Sequence, residues 1–584
     1  MIGCAPIPLL ALCVGVLAAP IACTKSEAGV ASQPPAAGAS RQEVAQDPAP
    51  ARIARPKLVV LFSVDQLASW VFEDAKPHFA ADGGFRRLLD QGVWFSECAF
   101  AHACTETGPG HATIGTGAPA LAHGIVKNEW YDRETKAKAY CAGDANAAAL
   151  DAFPEGGKRS PARLLVPTLG DLLDRATPAS KVVGIAHKDR SAILMAGARA
   201  DAVVWFENAT GRFVTNAAWG SVAPKWLLDF NATARPQSFF GWSWDLFGPE
   251  SAYVGLVDDR PFETPHYTTK ARTLPCAVRG GGDAPSVAFF SESYVSPISN
   301  QLVHECALAA LRGEQLGQDE HADLLCVSFS ALDTVGHYFG PDSVEARDVL
   351  LRIDRLLADF LDVLDREVGV GSYAFVLTAD HGVGIPPEAA VAKGLGGGRS
   401  LIHTQCKNLA EQALRAEFGG DATNAFVAHA GEYSLVLDRA RIEAMRGERS
   451  AEEAFRRACE VAAAACSKAK GVRRGFARHE VEGRVSDADP QIRSLAFAAH
   501  ERAGDVMIVV EPYWLEPSLP ASHGTPHDYD ARVPLIAMGP MLQRGSVSKD
   551  AVTPGLGAVL AAWWFGLEAP VAAIDTLPQS AMAK

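Results

Sequence analysis

Val376-Leu-Thr-Ala-Asp-His-Gly382 closes an apolar run that begins at Tyr373, and it ends on Asp380 and His381 side by side. A buried strand that stops on Asp-His puts a hard oxygen ligand and an imidazole at one edge of a sheet. In open α/β sheets ligands collect there, outside the carboxyl ends of the strands. Taken alone, the heptamer reads equally well as a helix-capping Asp beside a surface His. Matching pieces elsewhere in the chain decide between the two.

Lys57–Val64 (KLVVLFSV) is a continuous apolar run, the pattern of a strand buried on both faces, and it ends on Asp65. Lys181–Ala186 runs into His187-Lys188-Asp189-Arg190, and Asp323–Phe329 runs into Asp333 and His337. Val506–Val510 and Val533–Met538 read as later strands, the second just after His523. Between them, Phe79–Gln91, Ser343–Glu367 and Ala440–Lys470 carry helical spacing, with Ser343 and Pro341-Asp342 marking one helix start. Thr105–Gly117, rich in Gly and Thr, reads as a loop leading into a helix. This alternation predicts an α/β fold: a mostly parallel sheet with helices on both faces. Weakly periodic, turn-rich stretches near 203–282 and 385–500 read as insertions, the first as a cap. The main α/β domain then spans 57–545, with a C-terminal segment over 546–584.

The N-terminus falls outside that domain. Leu9–Ala22 is an apolar run too short to span a bilayer comfortably, so residues 1–22 read as a signal peptide, although no Lys or Arg precedes the run. Pro20-Ile-Ala-Cys23 resembles a bacterial lipobox, with Pro20 where Leu is usual. Residues 23–56, rich in Ala, Pro, Ser and Gln, read as a disordered tether. A cysteine followed at once by a tether fits an exported protein of the periplasm or cell envelope, lipid-anchored through Cys23, better than a freely soluble one.

With 48% hydrophobic and 21% charged residues, the 584-residue chain has an ordinary globular composition and can bury a large core. A net charge of -14, with no basic stripe, excludes a nucleic-acid footprint. An anionic substrate stays compatible, because a bound metal dominates its local field. Nine cysteines lie beyond the leader and no CxxC occurs, so a thiolate zinc site is excluded; spacing leaves any pairing open.

Asp65, Thr107, Asp333 with His337, Asp380 with His381, and His523 all stand at strand ends or in adjoining loops. Three carboxylates and three imidazoles suit zinc, and Asp333 and His337, four apart, would share one face of a helical turn. Two metals about 3.5–4 Å apart can clamp the attacking and leaving oxygens of an in-line displacement. The same ligands would accept Mn²⁺ or Co²⁺.

These motifs carry a resemblance. Thr107-x-x-Gly-His111, Asn128-Glu-Trp-Tyr131, Lys188-Asp-Arg190, Asp333-x-x-x-His337, Thr378-Ala-Asp-His-Gly382 and His523-Gly-x-Pro526 resemble the alkaline phosphatase superfamily. The likeness is to its bacterial phosphate-irrepressible members with a threonine nucleophile, and it runs from about Lys57 to Gly539. It implies an alkaline-phosphatase-like fold and a phosphomonoesterase working through a phosphothreonine on Thr107. It also implies one Zn²⁺ on Asp333, His337 and His523, a second on Asp65, Asp380 and His381 with Thr107 bridging toward it, and phosphate contacts from Asn128, Lys188 and Arg190. Lys188 and Arg190 would share one side if the strand continued through them. His111, His187 and His527 read as supporting residues, and Trp130 and Tyr131 as leaving-group lining or packing. No Cys-x-Pro-x-Arg segment occurs, so a sulfatase is excluded. The rival readings are a phosphodiesterase of the nucleotide pyrophosphatase kind and an inert envelope protein that binds metal and phosphate.

Overall fold

The computed structural model describes residues 55–421 and 423–583. The leader, Cys23 and almost all of the tether lie outside the described residues.

Nine strands form the main sheet, in the order Ser546–Ser548, Val93–Phe95, Leu535–Met538, Tyr373–Thr378, Leu58–Val64, Asp323–Phe329, Val182–Ala186, Ala202–Glu207 and Arg212–Val214. The five from Tyr373–Thr378 to Ala202–Glu207 are parallel. Leu535–Met538 runs antiparallel to both its neighbours. The central strand Leu58–Val64 is buried along its whole length, which is why it reads as unbroken apolar sequence. Successive side chains point to opposite faces, and both faces are covered. Phe62 and Phe375 pack on Phe360 of the helix Val344–Leu364, with ring centroids 6.0 and 6.2 Å apart. Their neighbours Leu61 and Val376 point the other way, onto Gly557 of the helix Leu556–Phe565. The α/β sheet with helices on both faces is thus present as expected.

Four local readings differ. The helix expected over Phe79–Gln91 is shorter, Gly84–Gln91, because the chain turns after a first helix at Ser69–Ala75. Ala440–Lys470 is two helices, Arg439–Ala444 and Ala451–Cys466, the second begun by a Ser450–Glu453 capping box. Residues from Val203 onward do not start a cap: Ala202–Glu207 and Arg212–Val214 extend the main sheet, and the helix Lys225–Ala232, a small strand pair and irregular chain follow. Thr105–Gly117 is no loop either, since Thr107–Thr116 is a fully buried helix that stops at Gly117 with φ 72°.

A second apolar core lies within residues 402–510. Helices Ile402–Phe418 and Ala451–Cys466 pack there with a four-stranded antiparallel sheet, ordered Val427–Gly431, Ser434–Leu437, Val506–Val510, Val472–Ala477. Val506–Val510 completes this inserted layer beyond residue 500, because both of its neighbours need it as a partner. The nine cysteines among the described residues are all buried free thiols.

Candidate active site

The candidate residues sit just past the ends of the central strands or on the helices beside them. Asp65 follows the central strand, and Asp380 and His381 follow the strand beside it, all three fully buried. Asp333 and His337 lie one turn apart on the helix Ala331–Phe339, with His337 Nε2 3.2 Å from Asp333 Oδ1. His523 Nε2 comes within 3.7 Å of the same oxygen. Thr107 is the first residue of its helix, and of the first-turn N–H groups its own is left for an anion, since Gly108 donates to Asn128, Gly110 to Glu106 O and Pro109 has none.

Lys188 and Arg190 reach Thr107, but not along a strand. The strand ends at Ala186 and a helix begins at Asp189, so Lys188 caps that helix and Arg190 lies in its first turn. Lys188 Nζ and Arg190 NH2 each lie 3.5 Å from Thr107 Oγ1. Lys188 also donates to Asp65 Oδ2 at 2.5 Å and to Asp333 Oδ2 at 2.6 Å, so its ammonium orients two carboxylates as well as facing the hydroxyl. Asn128 accepts a hydrogen bond from Gly108 N through Oδ1 at 2.7 Å, which frees its amide NH₂ to donate. All ten residues singled out in the sequence converge.

The histidines are prepared for metal. His337 pairs through Nδ1 with Ala521 O at 2.8 Å, His523 with Thr105 O at 2.8 Å and His381 with Gly382 O at 3.0 Å. A backbone carbonyl on Nδ1 fixes the tautomer that leaves Nε2 bare, the usual support of a ligating histidine. His381 and His523 stack at 3.6 Å between centroids, and burial lowers both imidazoles, His523 well below its ordinary value. Burial lowers His337 too, but Asp333 outweighs it and raises the imidazole.

Two clusters bring three ligand atoms within 4.8 Å of one another: Asp333, His337 and His523, and Asp65, Asp333 and His381. The first is the trio implied by the resemblance. The second has Asp333 where Asp380 was implied, because Asp380 is turned by its neighbours. Its Oδ1 accepts from Gln66 N at 3.1 Å, and its Oδ2 lies 3.2 Å from His111 Nδ1 and 3.5 Å from His381 Nε2. His111 Nδ1 pairs instead with Thr107 O at 2.8 Å.

Three buried atoms in this pocket, Asp65 Oδ1, Asp380 Oδ2 and His381 Nε2, have no hydrogen-bond partner among the described residues. Such orphans are costly unless something satisfies them. The charges agree. Burial, then Asp333 and Asp380, push the Asp65 carboxyl well above its usual range against the pull of Lys188. Burial also opposes ionisation of Asp333, yet Lys188 and His337 hold it well below that range. One ammonium does not balance three carboxylates, and the bare oxygens and nitrogen are hard and borderline donors of the type that divalent zinc takes. The residues fit a metal centre.

Some contributors left no mark in the sequence. Gln66, at φ 68°, donates from Nε2 to Asp333 Oδ1 at 2.7 Å while its backbone holds Asp380. Glu106 accepts from Asn128 N at 2.8 Å and Lys127 Nζ at 2.7 Å, fixing the phosphate-side loop. Asp189, inside the quoted Lys-Asp-Arg motif, is held by Tyr140 OH at 2.5 Å and Arg159 Nε at 2.6 Å. Only adjacency to Asp65 and Thr107 could have flagged Gln66 and Glu106.

Residues 59–525 match the model of the type I phosphodiesterase / nucleotide pyrophosphatase family. The chain belongs to that family. Among family relatives, alkaline phosphatase PhoV of Synechococcus elongatus is 29% identical over 521 residues, 88% of this chain and 91% of its own. Alkaline phosphatase PafA of Elizabethkingia meningoseptica is 30% identical over 506 residues, 84% of this chain and 88% of its own. A crystal structure of alkaline phosphatase PafA superposes with a TM-score of 0.81 at 27% identity, covering 91% of this chain and 100% of that one. These relatives bear out the alkaline phosphatase resemblance read from the motifs.

Proposed function

We propose that this family member is an alkaline phosphatase, a phosphoric monoester hydrolase acting on small organic phosphate monoesters through a phosphothreonine on Thr107. The observation that carries this is the Thr107 hydroxyl, on a helix N-terminus, faced by Lys188 and Arg190 at 3.5 Å beside a pocket of unpartnered carboxylate and imidazole atoms. Relatives named alkaline phosphatase over most of their length support it.

Asp333, His337 and His523 would hold one Zn²⁺, and Asp65, Asp380 and His381 the second. When bound, the ions supply Lewis-acid activation of the nucleophile and neutralise charge on the attacking and leaving oxygens. The chain's own residues do the rest. Arg190 presents a planar fork to two phosphoryl oxygens and Lys188 a point charge. Asn128 adds a neutral donor, and the first N–H of the helix, that of Thr107, adds the positive end of its dipole. Phosphoryl transfer needs this charge stabilisation more than covalent help. An inert binding protein would have no need of a nucleophile so placed. The diesterase reading keeps the family's own description in its favour, while the two cations at the nucleophile favour a dianionic monoester.

Chelation should abolish hydrolysis of an aryl phosphate, and Zn²⁺ should restore it. Thr107→Ala should keep its metal and lose most turnover, with phosphate labelling Thr107 in acid-quenched wild type. Full activity in metal-free protein, or a label on Thr105, would overturn the assignment. We also propose export and lipid anchoring at Cys23, on the apolar leader and tether. Cys23→Ser should then shift the protein from membrane to soluble fractions; a soluble wild type would leave plain signal cleavage.

A further inference from the structure

A cavity of about 390 Å³ adjoins the site. The catalytic body lines it with Asn128, Tyr131 and Gly524, and the inserted layer with His429, Glu432 and Tyr433. Asn128 is bonded to Gly108 next to the nucleophile, and Gly524 follows His523. The cavity therefore touches the site on both its phosphate side and its His523 side, where an alcohol bonded to phosphorus has room.

Two features of its wall point to what that alcohol is. The rings of Tyr131 and His429 stack across the two layers, 5.5 Å between centroids and 11° from parallel, and both line the space. Its lysines are already matched: Lys127 to Glu106 at 2.7 Å, Lys138 to Glu129 at 3.4 Å. Glu432 adds a carboxylate with no cation in salt-bridge range among the described residues. Burial and the nearby lysines lower the His429 imidazole below its ordinary value. Arg502 lines the same space and donates through NH1 to the carbonyls of Gly124 and Arg163, so three cations face the three carboxylates Glu106, Glu129 and Glu432. No net positive charge is left for a second phosphate, and the polar wall is balanced around an aromatic floor.

We propose that this cavity seats the alcohol of the substrate and selects monoesters of planar, uncharged aromatic or heteroaromatic alcohols, with Tyr131 and His429 as the specificity-determining pair. It rests on the phosphomonoesterase reading above. Such a ring extends the Tyr131–His429 stack, whereas a saturated ring of equal bulk meets it edge-on without a π-face to offer.

Benzyl phosphate and cyclohexylmethyl phosphate test this, since they are matched in size and both leave as ordinary primary alkoxides. Wild-type holoenzyme should prefer the benzyl ester in kcat/KM by about three- to tenfold, the worth of one aromatic pair. The double variant Tyr131→Leu/His429→Ala should bring the ratio near one, and Tyr131→Phe alone should keep it. Inhibition by the two matching phosphonates, benzylphosphonate and cyclohexylmethylphosphonate, should show the same ratios without depending on turnover. A wild-type ratio near one, or an unchanged ratio in the double variant, overturns the subsite while leaving the phosphomonoesterase intact. Failure of wild type to release phosphate from either ester overturns both.

Discussion

At Lys188 one ammonium serves three partners, and its charge decides how much of the site survives its loss. Burial would strip its proton, but Asp333 and Asp65 outweigh that and keep it charged. Arg190 lacks the carboxylate contacts of Lys188 to the metal side and faces Thr107 alone on that side. The two residues should therefore fail differently. Arg190→Ala removes a charged contact worth roughly 1.5–3 kcal/mol. About 1.4 kcal/mol is tenfold in rate, so kcat/KM for an aryl monoester should fall by about one to two powers of ten. The methyl diester, with one charge fewer, should lose little. Lys188→Ala should also weaken retention of a bound metal, because Asp65 and Asp333 lose the donor that orients them. Parallel assays on both esters with metal analysis check this; equal losses on both esters would make the pair structural and favour a diesterase.

The helix Thr107–Thr116 is the element on which the site turns, and glycine makes its approach possible. A Cβ on Gly110 would lie 1.9 Å from Asp380 O, and one on Gly336 would lie 2.1 Å from Gln66 Oε1. The first neighbour is backbone and cannot swing aside; the second is a side-chain tip. Gly110→Ala should thus push the helix off the Asp380 strand end, destabilise the fold by about 1–3 kcal/mol as overpacking does, and misplace Thr107. A lowered Tm with at least a hundredfold loss of kcat/KM is the expected outcome, since misplacement of about 1 Å can cost 10²-fold. An unchanged Tm would contradict the packing. The composition of this helix is why the stretch reads as a loop. Gly and Pro lower helix propensity, and only the flanking elements, Asp380 on one side and Leu194–Met195 on another, force the compact form.

Across the molecule, buried histidines set a pH signature. Burial lowers His102 and His187 to about 3, and His523 falls well below its usual value by burial and by its neighbours His381 and His337. These groups stay neutral when folded but bind protons when unfolded below about pH 6.5. The unfolded state then holds more protons, so stability falls as pH falls from about 6.5 toward the depressed folded values. Each group contributes about 1.4 kcal/mol per pH unit in that window. Melting of metal-free protein between pH 7.5 and 5 should show Tm dropping with acidity, and His187→Gln should flatten the slope; a flat wild-type profile would refute it. His187 is a suitable probe because it stacks on Tyr294 at 4.1 Å outside the ligand set.

The chain's own order of residues determined the parallel sheet and marked the ten candidate residues that the fold brings together. Strands buried on both faces must be continuously apolar, and chemistry must follow where they stop, so Leu58–Val64 with Asp65 and Tyr373–Thr378 with Asp380 are visible locally. Tertiary structure alone decided the rest. Whether Thr107 opens a helix depends on the backbone of Asp380, some 270 residues away, and whether Lys188 meets Asp65 depends on strand order. The Gln66 bridge and the Tyr131–His429 wall join residues far apart in the chain, through contacts that carry no periodicity. Local pattern records which side chains are buried and where elements end; it holds no record of which distant surfaces will pack against them.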